Sequence, residues 1–148
     1  MKIRFATTAI VAGVVVFGNL WALAQKKDTR TGKIKQSNYS ALLEAPEKAR
    51  ERENPFAGDT RAVAVGGKLF EQHCAECHGG KAEGTRKGPT LLRDEVKQAP
   101  PGALFWILTN GVVRKGMPVW SKLPEQQRWQ LVTYLKALNM PSESPQPQ

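Results

Sequence analysis

One pentapeptide limits what this chain can become more than any other feature. Cys74-Ala75-Glu76-Cys77-His78 holds the only two cysteines among 148 residues. Thiols three positions apart cannot join distant parts of a fold, so a disulfide scaffold is excluded. The C-x-x-C-H spacing is a signature of covalent haem attachment. Two thiols so spaced at the end of a helix reach the two vinyl groups of one haem and form thioether bonds. The next residue, His78, then faces the iron as proximal ligand. Two other chemistries use part of the pattern. A redox-active dithiol of Cys74 and Cys77 needs a preceding strand and a βαβ context, which the sequence does not display. A zinc site from His73, Cys74, Cys77 and His78 would crowd its ligands into one short segment, whereas zinc usually draws them from two. His73 itself reads as a partly exposed helix residue without a role.

The ends of the chain differ from its middle. Lys2 and Arg4 precede an uncharged stretch over residues 5–25, with Val14-Val15-Val16-Phe17 at its centre and small residues at Ala22-Leu23-Ala24. Residues 1–24 therefore read as a secretory signal peptide cleaved after Ala24. The rival is an uncleaved anchor over residues 5–24, since roughly 20 uncharged residues can span a bilayer. Thr7, Thr8, Gly13, Gly18 and Asn19 dilute its hydrophobicity. Either way the remainder is delivered outside the cytoplasm, to the periplasm or beyond. Residues 25–59 read as a flexible, charged tether, with Lys26, Lys27, Arg30, Lys33 and Lys35 among polar neighbours. A short charged helix over 41–53, with Leu42 and Leu43 its only sizeable apolar contacts, is the order expected there. Residues 141–148, rich in Pro, Ser and Gln, read as a disordered tail.

The folded unit is then 60–140, too small to bury a generous core, so a covalent cofactor is a natural staple. Three helices are legible. One spans about 61–75, capped by Asp59 or Thr60, with Val65, Leu69 and Phe70 along one side. A second spans 101–110, from proline to Asn110-Gly111. The third spans 124–138, with a stripe of Leu131, Leu135 and Leu138 widened by Trp129 and Val132. No alternating strand pattern appears, so the domain is expected to be all-α. Trp106 and Trp129 are expected in the core.

With these elements in place, residues 60–140 resemble a class I cytochrome c domain, and several positions match in order. Gly66 and Phe70 stand four residues apart before Cys74, where the family crosses its first and last helices; Leu131 and Tyr134 match the partner positions. Gly88-Pro89-Thr90-Leu91 matches the loop whose proline carbonyl takes a hydrogen bond from the proximal histidine, with Leu91 over one haem face. Gly116-Met117-Pro118-Val119-Trp120 matches the distal segment, which makes Met117 the sixth ligand and places Trp120 against the haem or its propionates. The resemblance implies three to five short helices wrapped around one covalently bound haem c.

It also implies an exported mono-haem electron carrier rather than an enzyme, because histidine and methionine together leave the iron no open position. The alternatives are a five-coordinate enzyme or gas sensor, which requires Met117 off the iron, and a docking subunit of a dehydrogenase or oxidase. The distal segment and long tether also look like mono-haem cytochromes that serve periplasmic dehydrogenases. The formal charge of +9, from 22 Lys plus Arg against 13 Asp plus Glu, points to redox protein partners with an acidic docking face. Lys81, Arg86, Lys87, Arg114, Lys115 and Lys122 flank the expected haem loops and are candidates for the basic face. Export disfavours nucleic acid, and membrane contact is expected only if the N-terminal segment is retained.

Overall fold

The computed structural model describes residues 38–138. The expected signal or anchor, the first part of the tether and the tail lie outside the described residues. Among them stand six α-helices: α1 (Glu47–Arg50), α2 (Thr60–His73), α3 (Ala75–His78), α4 (Asp94–Gln98), α5 (Pro101–Asn110) and α6 (Glu125–Leu138). Single 3-10 turns occupy Ser40–Leu43 and Val113–Lys115. Among the described residues the only β pairing is an isolated antiparallel bridge between Val112 and Met117. The all-α expectation holds.

The Asp59 carboxylate starts α2 by accepting from the amides of Arg61 at 2.8 Å and Ala62 at 3.2 Å. The helix then lies across α6. A side chain at position 66 would overlap the Gln130 carbonyl, so only glycine permits this approach. Phe70 and Tyr134 fill the space beside it, ring centroids 5.3 Å apart. Phe70, Leu131 and Val132 are almost wholly buried, each contributing about 1.5–3 kcal/mol through loss of apolar contact with water. Val65, expected on the buried side of α2, is 41 % exposed, whereas Leu69 and Phe70 are buried. Trp129 is buried as expected, whereas Trp106 is only half-buried.

The tether expectation fails from residue 38 onward. Ala41 and Ala45 are buried, and Gly102 lies so close under the Ala49 carbonyl that no side chain fits between them. The Asn54 amide donates to the Thr133 hydroxyl at 2.9 Å. The Arg52 guanidinium pairs with Glu125 at 2.6 Å and lies over the rings of Phe105, 4.5 Å away, and Trp129, 5.2 Å away. Apolar residues are sparse here, as composition says. Small side chains set into grooves and long polar ones laid across aromatic faces supply the packing instead. At the opposite end of the fold, the Lys136 ammonium donates to the carbonyls of Lys97 and Ala99, both at 2.6 Å, and closes the end of α4.

Candidate functional site

The pentapeptide sits where α2 passes into α3. The Cys74 amide still bonds the Phe70 carbonyl at 2.8 Å, and the His78 amide bonds the Cys74 carbonyl at 2.9 Å. This turn brings both cysteines and His78 to the wall of one cavity of about 700 Å³. Cofactor pockets commonly measure about 300–1,000 Å³. Burial pushes the Cys74 thiol up to about 11, and the neighbouring Cys77 adds to it. Redox-active dithiols depend on a depressed thiol pKa, so this environment opposes the dithiol alternative. The zinc alternative fares no better: among the described residues no three His, Cys, Asp or Glu side chains group to hold a metal ion.

His78 is oriented by its second nitrogen. Its Nδ1 lies 2.7 Å from the Pro89 carbonyl. A carbonyl only accepts, so Nδ1 carries a proton, and in the neutral ring the lone pair is then on Nε2. The loop that delivers this carbonyl is tightly folded. Ala82, fully buried, adopts a positive φ of 61°, and its carbonyl accepts from both the Leu91 amide at 2.8 Å and the Thr90 hydroxyl at 3.0 Å. The Thr85 hydroxyl donates to the Cys77 carbonyl at 2.6 Å. A Cβ on Gly88 would stand 2.9 Å from the Cys77 carbonyl oxygen and 3.2 Å from His78 Cε1, so glycine lets the loop close over the histidine.

Met117 lines the same cavity. It is held by the bridge to Val112, with N–H···O distances of 3.0 and 3.2 Å. Glycines at positive φ, Gly111 at 67° and Gly116 at 86°, turn the chain on either side of Val113–Lys115. The Trp120 amide donates to the Leu108 carbonyl at 3.0 Å, and its ring lies 5.3 Å from that of His73.

Cys74, Cys77, His78, Pro89, Leu91, Met117 and Trp120, nominated from sequence, therefore all line one cavity. His73 also lines it. The donor set suits haem c: two thiols on one turn, an imidazole with Nε2 available, and a thioether opposite in the chain. Sequence reasoning missed the wall contributed by Asn38, Tyr39, Ala41 and Leu42. Their signals were one aromatic residue in a polar stretch and Leu42, which reads only as an apolar contact of a short charged helix.

The nominated basic residues divide into two groups. Lys87 pairs with Glu76 at 2.6 Å, Arg114 lies 3.5 Å from Glu44, and Lys115 bonds the Asn38 carbonyl at 3.3 Å and the Ser40 hydroxyl at 3.2 Å. Those three are engaged within the chain. Lys81, Arg86 and Lys122 are exposed.

Residues 61–135 match the family model described as cytochrome c oxidase, cbb3-type, subunit III. No curated protein and no solved structure matches the chain.

Proposed function

The chain belongs to the cytochrome c oxidase, cbb3-type, subunit III family, and from that membership we propose that it is an exported mono-haem electron carrier with histidine and methionine as axial ligands. A c-type cytochrome domain is a haem-bearing electron-transfer unit and is not catalytic by itself. Once bound, haem c supplies a reversible one-electron couple, whose potential a histidine/methionine pair raises.

In this reading Cys74 and Cys77 provide the two thioether attachments. His78 provides Nε2, its ring held in orientation by the bond from Nδ1 to the Pro89 carbonyl. Met117 provides its sulfur. Leu91 and Trp120 cover the cofactor and keep water from it. Lys81, Arg86 and Lys122, all exposed, present positive charge to an acidic redox partner. Export rests on residues 1–24; among the described residues no helix is long and apolar enough to cross a membrane. The family description favours a second setting for the same chemistry, in which the domain relays electrons as one subunit of an oxidase.

The observation that carries the proposal is the joint presence of His78, its Nδ1 already engaged, and Met117 on one cavity with both thiols. The test is the visible and near-infrared spectrum of protein matured with a haem-attachment system, beside Met117→Ala. A sharp reduced α-band and a weak near-infrared sulfur-to-iron band that the variant lacks are expected. A high-spin spectrum with ready carbon monoxide binding in the unsubstituted protein would favour the enzyme or sensor alternative instead.

A further inference from the structure

The segment 38–44 is fastened to both walls of the cavity. On the histidine side, the Tyr39 hydroxyl donates to the Thr90 carbonyl at 2.6 Å. That peptide group is also held through its other end, by the bond from the Leu91 amide to the Ala82 carbonyl. The next peptide back carries the Pro89 oxygen that orients His78. On the methionine side, Lys115 grips the residues flanking Tyr39 through the Asn38 carbonyl and the Ser40 hydroxyl. Arg114 reaches Glu44. Both cations belong to the single turn Val113–Lys115, which the Val112–Met117 bridge closes.

We propose that Tyr39 and Lys115 are positioning residues that work as one strap: the N-terminal segment couples the loop behind His78 to the loop bearing Met117 and holds the methionine against displacement. The proposal rests on the axial assignment above. A strap differs from ordinary packing in one respect. Tyr39 and Lys115 act in series, so cutting either slackens the link and the second cut adds little, while the long 3.5 Å contact of Arg114 with Glu44 remains in every variant.

The experiment uses the full-length ferric haem protein and titrates it with imidazole, following loss of the near-infrared sulfur-to-iron band. Tyr39→Phe keeps the ring and removes the donor. Lys115→Ala removes the grip at the other end, and Lys115→Arg restores a cation. Loss of a hydrogen bond of this kind should raise imidazole affinity about 3- to 10-fold in either single variant. The double variant should match the larger single effect rather than their product. Lys115→Arg should return most of the resistance. Arg52→Gln, outside the cavity, is the control that lowers the unfolding midpoint without moving imidazole affinity. Single variants within about twofold of the unsubstituted protein, or a double variant whose effect equals the product, would overturn the strap. An unsubstituted protein without the band removes the axial assignment and the strap with it. A native band with unresponsive variants removes the strap alone.

Discussion

The two loops that meet at the cavity are built to different standards. The histidine-side loop is cross-braced. Besides the Nδ1 bond, the Gly84 amide bonds the His78 carbonyl at 2.7 Å, the Thr85 amide bonds Gly88 at 2.9 Å, and Ala82 accepts twice from the far strand of the loop. The methionine-side loop has the bridge to Val112, one helical turn and the Trp120 anchor, and it leaves Val113 68 % and Val119 48 % exposed. Under the proposed axial assignment imidazole nitrogen is the stronger ligand and thioether the weaker, so the bracing is greatest on the side that needs it less. The weaker side leans on residues far away in sequence. Ligand exchange should therefore begin at Met117.

The largest expected effect comes from Gly111→Ala. Gly111 combines φ 67° with ψ −176°, a region that only glycine occupies readily, and a Cβ there would stand 2.7 Å from the Pro118 carbonyl oxygen. Strain and overlap together should cost about 2–5 kcal/mol. The near-infrared band should weaken or vanish while covalent attachment persists, as read by spectrum and denaturant unfolding. A variant with both band and midpoint unchanged would contradict the ranking of the two loops.

Gly88→Ala attacks the braced side. The clash with the Cys77 carbonyl and His78 Cε1 is milder and should cost about 1–3 kcal/mol. Because many bonds share the load, the sulfur band should survive and the unfolding midpoint should fall. Loss of the band with no change in midpoint would show that the histidine loop is the more fragile one.

The smallest effect is electrostatic. Hydrogen bonding and attraction from Lys87 hold the Glu76 carboxyl below its ordinary value of 4.5. A depressed carboxyl stabilises the fold above that value, and its contribution fades as pH falls through the lower folded value. Both side chains are exposed, so the effect is small and salt weakens it. Comparing unfolding midpoints between pH 3 and pH 6 (order-of-magnitude window about the carboxyl range) with Lys87→Gln should show a shallower acid slope in the variant. Identical slopes would show that the pair does not brace this loop.

Much of the cavity's lining could be read in advance because the residues nominated for it are local in sequence. The pentapeptide, Gly88-Pro89 and Gly116-Met117-Pro118 are each contiguous, and each identifies itself by residue type. The long helices announced themselves through caps and stripes: the second expected helix, 101–110, coincides with Pro101–Asn110. Other elements were silent for physical reasons. Helix α4 has five residues and one buried side chain, Val96, too few for any period to emerge. Tyr39 matters through a bond to a residue 51 positions away, which composition cannot register. The packed part of the tether was misjudged because buried alanines and an arginine stacked on rings carry little weight in hydropathy.

Arg52 leads to a last consequence. Two guanidinium groups lie over Phe105, Arg52 at 4.5 Å and Arg128 at 4.7 Å, and the ring stacks on Trp129 with centroids 4.1 Å apart. One of those covers comes from outside the recognisable domain, since the family match begins at 61 while ordered packing reaches back to 38. A fragment excised at the homology boundary would bare an aromatic stack and the glycine floor at Gly102 together, a sticky patch that invites self-association. The stretch that matches the family is shorter than the body that water sees.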